Sequence, residues 1–249
     1  MRGRCKTDDV PDPWEIDERL EAPSALHRSW PAVERDPARR RVSVCRPTRR
    51  AIVLGSTQRL TVVDSAAAEA AGLDVVRRRS GGGAVLVTPD DPVWVDVWVP
   101  VDDPLWTADV TGAFGWLGSA WAGALARLGA PDAEVQGPGP GACTRWSSHV
   151  CFGGVGAGEV TVAHRKVVGL AQRRNRAGAW FHGACVMRWD PSLLLEVLDL
   201  TTGERSAAAA GLESAVTGVA DVLAERSSTG GRDVPERDDV VSALLDSLP

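Results

Sequence analysis

Lysine is almost missing from this chain of 249 residues: among its 28 lysine and arginine residues, only Lys6 and Lys166 are lysine. Tyrosine is absent and phenylalanine occurs three times, against ten tryptophans, so tryptophan has to supply most of the large aromatic packing. No run approaches the roughly 18 apolar residues that cross a bilayer, and the N-terminus lacks the apolar core of a signal peptide. A cytoplasmic protein without membrane contact is therefore expected. The five cysteines (Cys5, Cys45, Cys143, Cys151 and Cys185) include no C-x-x-C pair. That argues against a zinc ribbon or a disulfide framework and suits a reducing compartment. A net charge of -5 speaks against general binding to nucleic acid.

What is present suffices for one large domain or two small ones. Residues 1–22, rich in Asp, Glu and Pro, are expected to form a flexible leader. A short helix from about Ser24 is followed by strand-like runs at 41–45, 51–55, 75–79, 84–87 and 93–99. A helix over 64–71 intervenes, with Asp64 as N-cap and Gly72 as stop. One long helix is expected over 105–128, closed by Gly129 and Pro131. Residues 136–142 (QGPGPGA) must be loop. Further strands at 159–163, 166–171 and 179–187 precede helices at 193–198, 207–223 and 240–248, with a Ser/Gly-rich break at 227–231. Strands first, with helices inserted or trailing, predict an α+β fold: a mixed β-sheet with packed helices. The main body should cover 23–200 and a helical tail 201–249.

Two segments carry chemistry. Arg77-Arg78-Arg79-Ser80-Gly81-Gly82-Gly83-Ala84-Val85 places three glycines between two strands, where backbone can pass close to a ligand. Its amides and arginines could hold a phosphate, or the glycines could simply turn a hairpin. Lys166 stands alone in a chain that otherwise uses arginine for positive charge, and lysine offers a compact ammonium able to follow a moving charge. By contrast, 154–158 (GVGAG) lacks the G-x-G-x-x-G spacing, and no G-x-x-x-x-G-K-[ST] occurs.

Taken together, AIVLGSTQ (51–58), VVRRRSGGGAV (75–85) and CFGGVGAGEVTVAHRKVVGLAQRRNRAGAWFHG (151–183) resemble the superfamily of lipoate–protein ligase A, octanoyltransferases and biotin–protein ligase. The resemblance covers about 24–200. It implies the class II aminoacyl-tRNA synthetase/biotin-ligase-like catalytic fold with an acyl tunnel at the sheet, and attachment of lipoate or octanoate to one lysine of a carrier domain. Lys166, followed by Gly169 and Ala171, falls at the family's catalytic lysine. Arg77, Arg78, Ser80, Gly81–Gly83 and Ala84 fall on its glycine loop, and His182-Gly183 on its H-G pair.

Two routes are open within this family. In the first and preferred one, a ligase joins the acyl carboxylate to AMP. Lys166 carries the activation, Gly81–Gly83 and Arg78 hold the phosphate side, His182 lines the pocket, and ATP arrives with Mg²⁺. In the second, an octanoyltransferase takes a thioester from acyl carrier protein, and Cys151 is the nucleophile, activated by a nearby Lys166 or Arg165. Biotin ligation and a non-catalytic acyl-binding protein complete the alternatives. His149 and His164 are candidate general bases, and no metal-ligand spacing is present. The expected acceptors are lipoyl domains of 2-oxoacid dehydrogenases or the glycine cleavage H protein, steered by a basic rim of Arg77–Arg79, Arg173, Arg174 and Arg176. After the glycine loop the ligases carry an aromatic residue and His-Asp, where this chain has Leu86-Val87-Thr88-Pro89-Asp90. The chain is also expected to lack room for the separate C-terminal accessory domain of some ligases, so a separate accessory chain is a further expected partner.

Overall fold

A computed structural model describes residues 14–226 and 234–249. In chain order, strand β1 (Glu15–Glu21), helices α1 (Pro23–Arg28) and α2 (Pro31–Arg35), and strand β2 (Arg41–Pro47) come first. A smaller unit follows, made of β3 (Ala51–Leu54), α3 (Ser65–Ala70), β4 (Asp74–Arg77) and β5 (Val85–Val87). Strand β6 (Val93–Pro100) leads to helix α4 (Gly115–Leu128), then to short strands β7 (Glu134–Val135), β8 (Ala142–Cys143), β9 (Gly154–Val155) and β10 (Val160–Val162). Long strands β11 (Arg165–Arg174) and β12 (Gly178–Cys185) precede helices α5 (Ser192–Val197), α6 (Thr202–Glu213), α7 (Val219–Arg226) and α8 (Arg237–Leu245).

The organising segment is β6, VWVDVWVP, in which every residue is buried. It lies within a seven-stranded sheet ordered β1-β2-β6-β12-β11-β10-β7. The sheet is mixed, since β1 runs parallel to β2 while the other pairs are antiparallel. Alternation along β6 separates two faces. Val93, Val95, Val97 and Val99 join one core with Leu117, Trp121 and Leu125 of α4 and Val240 and Leu244 of α8. The even positions face the other way: Trp94 packs with Leu26 of α1 and with the small sheet β4-β3-β5, and Trp98 packs with Trp30 and Trp180. Asp96 lies between those two tryptophans. The α+β class with a mixed sheet and packed helices is as expected.

Several local expectations are corrected. Residues 1–13 and the break at 227–231 lie outside the described residues, but 15–21, assigned to a flexible leader, form an edge strand paired with β2. The helix expected over 105–128 begins only at Gly115, after a short 3₁₀ turn. Asp103 accepts the Leu105 amide and Asp109 the Thr111 amide, 2.9 Å each, and such turns compete with helix. The helix expected over 207–223 is broken between Glu213 and Val219. There the backbone bridges to Lys166 instead: the Lys166 amide donates to Ala215 O at 2.8 Å, and the Thr217 amide to Lys166 O at 3.0 Å. The helices after residue 201 are thus knitted into the sheet and core rather than trailing. Leu244 is fully buried, so Leu244→Ala should cost about 2–5 kcal/mol. Thermal unfolding would show this as one cooperative transition at lower temperature, whereas an unchanged midpoint would contradict the shared core.

Candidate active site

The glycine loop and the segment around Cys151 are clamped together by backbone. Ala84 N donates to His149 O at 2.7 Å, and Cys151 N donates to Ala84 O at 2.8 Å. A Cβ on Gly83 would stand 2.5–2.8 Å from the backbone of Val150 and Cys151, so only glycine permits this approach. Gly82 adopts φ +98°, a conformation that L side chains rarely tolerate. Gln58 ties a third segment in, accepting the Gly55 amide at 2.9 Å and donating to Ser148 O at 3.0 Å.

Arg78 is buried and holds this loop from within. Its guanidinium donates to Val53 O, Gly81 O and Gly83 O, and one Nη lies 3.6 Å from Cys151 Sγ. The cation beside the thiol is therefore Arg78, not the expected Lys166 or Arg165. Arg165 pairs with Glu225 at the surface. Arg77 is exposed, and Ser80 is buried with its carbonyl accepting the Ser56 amide.

Lys166 is 1% exposed, and its ammonium is fully engaged. Nζ donates to Cys151 O at 3.0 Å and to Gly154 O at 2.9 Å, and it pairs with Glu159 Oε2 at 2.6 Å. Glu159 also accepts the Gly156 amide at 2.6 Å and, through its other oxygen, the Leu170 amide at 3.0 Å. A buried lysine and a buried carboxylate thus bind the loop 151–158 to β11. Three N–H donors meet three acceptors, which offsets the large cost of burying both charges.

Between the main sheet and β5 lies a cavity of about 510 Å³, including its mouth. Gly169, Ala171, His182, Gly183 and Ala184 form its sheet wall, and Val85 and Val87 face them. Arg78, Cys151 and Phe152 line one region, and Trp94 and His27 another. The structure therefore brings Arg78, Cys151, Gly169, Ala171, His182 and Gly183 together, with Gly81–Gly83 and Ala84 alongside and Lys166 behind the wall. Gly183 is glycine for packing, since a Cβ there would meet the indole of Trp121 at 2.9 Å. Cys45 and Cys185 are fully buried, and burial pushes both thiols up, aided at Cys45 by the Asp96 charge and at Cys185 by Asp91. Cys151 is the thiol in the cavity wall.

Asp96 and His27 are site residues that the motifs did not mark. His182 Nδ1 donates to Asp96 Oδ1 at 2.7 Å, as does the Trp94 indole. Burial opposes ionisation of Asp96, but the His182 charge and these hydrogen bonds prevail and hold its carboxyl below the ordinary value. A lone carboxylate inside the apolar run 93–99 was the available signal, because such a group must find partners. His27 had none, standing in a short helix of mixed composition.

The other candidates lie elsewhere. His164 occupies the exposed β10–β11 turn at φ 62°, and His149 contacts Ser148 and Trp146 outside the cavity wall. Arg174 donates to Thr107 O and stacks on Trp106, a structural anchor rather than a free rim charge. Arg173 is held below its ordinary value by burial and then by the like charge of Arg79, so those two remain a basic edge.

Comparison with known proteins identifies the family and the fold. The lipoyl protein ligase A/B catalytic domain matches residues 27–248. Octanoyltransferase LipM of Moorella thermoacetica is 32% identical over 181 residues, 72% of this chain and 65% of that protein, so the chain spans just under two thirds of that relative's length. A bipartite lipoate protein ligase of Thermoplasma acidophilum has a TM-score of 0.69 at 21% identity, covering 94% of this chain and 82% of that one. A lipoate-protein ligase A solved with ATP has a TM-score of 0.64 at 20% identity, covering 94% and 83%. At these identities the two structures establish the fold.

His27 yields a test of the buried cluster. Burial first, then the charge of His182, push it down to about 3, while an unfolded histidine protonates near 6.5. Between those values the unfolded chain binds the extra proton. The stabilisation is therefore full above pH 6.5 and is lost as pH falls toward 3. From pH 7 to 5 this group should remove about 2 kcal/mol, and His27→Leu should flatten that part of the melting-temperature profile. Asp91, pushed up to about 6 by burial, acts in the opposite sense in both proteins and cancels in the comparison. An identical slope in wild type and variant would refute the assignment.

Proposed function

The chain belongs to the lipoyl protein ligase A/B catalytic-domain family, and on that premise we propose that it transfers an octanoyl group from a carrier thioester to a lysine of a lipoyl domain. Cys151 is the nucleophile. Its sulfur attacks the thioester carbonyl, a new C–S bond forms, and the donor thiolate leaves, taking up the proton that Cys151 released. Arg78 places positive charge beside the sulfur, where the attacking thiolate is negative. The amides of Gly82 and Gly83 have no acceptor among the described residues; a Cβ on Gly82 would stand 3.7 Å from the Cys151 sulfur and Gly83 abuts the Cys151 backbone, which suits these amides to the developing oxyanion. In the second half, the neutral amine of the acceptor lysine attacks the Cys151 thioester. The amide forms, Cys151 leaves as thiolate, and the amine proton passes to solvent.

The state of Lys166 is the observation that carries this reading over the acyl-adenylate route. On the acyl-adenylate route, Lys166 is expected to act as a mobile ammonium that stabilises charge between the acyl carboxylate and the α-phosphate. Lys166 is buried behind the cavity wall with all its donors engaged, whereas Cys151 lines the cavity. The LipM relative supports the same route. This reverses the order in which the sequence ranked the two routes. Lys166 then serves as a positioning residue for the loop. Acyl carrier protein is the proposed donor, with lipoyl domains of 2-oxoacid dehydrogenases or the glycine cleavage H protein as acceptors.

Intact mass of an apo lipoyl domain distinguishes the routes. Octanoyl-carrier protein without nucleotide should acylate the domain, and octanoate with ATP and Mg²⁺ should not. The opposite pattern would establish the ligase. In the productive mixture, Cys151→Ser should abolish transfer. Lys166→Met should lower kcat/KM by roughly 100-fold or more through displacement of the thiol, and a full rate in either variant would contradict the proposal.

A further inference from the structure

The cavity beside Cys151 runs across the strands of the main sheet, and its floor follows one row of paired residues. Gly169 on β11 stands opposite Ala184 on β12, and Ala184 stands opposite Trp94 on β6. Residues paired in this way project from the same face of a sheet, and all three line the cavity. The row therefore presents a hydrogen, a methyl and then an indole: a trough two strands wide that ends at a ring. Cys151 and Phe152 stand at the β11 end. A Cβ on Gly169 would lie 3.3 Å from the Phe152 ring, and Lys166 of the same strand donates to Cys151 O. Val85 and Val87 cover the trough from the small sheet.

The closing ring is held on every side. Trp94 is 3% exposed, and its indole N–H donates to Asp96 Oδ1 at 2.7 Å. His27 stacks on it with ring centroids 4.4 Å apart, and Leu26, Val53 and Val87 share its core cluster. His182 donates to the same Asp96 oxygen and keeps that carboxylate in place. A buried ring with a hydrogen bond, a stack and close packing cannot leave its rotamer cheaply. A ligand that reaches it meets a wall.

The place of that wall sets a length. Two strand spacings put the Trp94 backbone roughly 10 Å from Gly169. An extended chain advances roughly 1.2 Å per bond, so the seven C–C bonds of an octanoyl group span roughly 8–9 Å. We propose that Trp94, braced by His27 and Asp96, ends the acyl cavity and limits the chain to about eight carbons. The inference rests on reading the cavity as the acyl site and adds the residue that measures the chain. A longer chain has to displace the ring, which overpacks the core behind it. A shorter one leaves apolar surface against Trp94 unfilled.

Competition for Cys151 among the pantetheine thioesters of hexanoate, octanoate, decanoate and dodecanoate, read by intact mass, tests this. In the wild type, octanoyl should load in preference to each of the others by about tenfold or more. Trp94→Leu should move the optimum to decanoyl or dodecanoyl, and Trp94→Phe, a smaller ring, should raise decanoyl relative to octanoyl. Trp98→Leu is the control: Trp98 lies on the same strand, 2% exposed, but packs against Trp30 and Trp180 outside the cavity lining. That variant should keep the octanoyl optimum. Circular dichroism establishes which variants are folded, and Trp94→Phe carries the test if the leucine variant is not. Dodecanoyl loading as well as octanoyl in the wild type, or an unchanged chain order in the folded Trp94 variants, overturns the proposal while leaving the acyl site intact. If no chain of any length loads Cys151, the acyl-site reading itself fails and takes the proposal with it.

Discussion

The site depends on one buried ion pair. Lys166 and Glu159 bring opposite charges to 2.6 Å in a region from which water is excluded. A pair of this kind is stabilising only if each remaining donor and acceptor is also met. Here the other two Nζ hydrogens go to the carbonyls of Cys151 and Gly154, and the carboxylate takes the amides of Gly156 and Leu170. The pair therefore acts as a bracket. It fixes a glycine-rich loop in which Phe152 is the one large buried side chain, and it fixes that loop to the strand that forms the cavity wall.

Consequences spread from that bracket. Cys151 is held from below by Lys166 and from the side by the glycine loop, whose approach requires Gly83. Arg78 closes the arrangement, donating to the loop carbonyls and reaching the sulfur. Lysine and arginine divide the work according to their shapes. The compact ammonium fits among three converging acceptors, and the planar fork spans several carbonyls and still meets the thiol. On the proposed route, positive charge beside the thiol comes from Arg78, while Lys166 contributes geometry.

Much of this was legible in the sequence. The three motifs identified the fold, and the isolation of Lys166 in an arginine-using chain marked a residue whose shape matters. Its partner was less visible, because Glu159 looks like any acidic residue until β10 and β11 fold back on each other. Arg78 was singled out for the phosphate side, but its place beside the thiol was hidden, because that contact exists only once the glycine loop folds onto the segment around Cys151. Asp96 was foreshadowed by its apolar surroundings. His27 was not, since α1 reaches the cavity only by packing between the two sheets. The long helix expected over 105–128 failed at Asp103 and Asp109, whose local turns outcompete a helical start.

Amide hydrogen exchange over residues 150–159, compared between wild type and Lys166→Met, tests the bracket most directly. The account predicts a loss of protection confined to this loop and the adjoining end of β11, with the sheet and α4 unchanged. A variant that loses acyl transfer while the loop keeps wild-type protection would contradict it, and would place the lysine ammonium on the substrate instead.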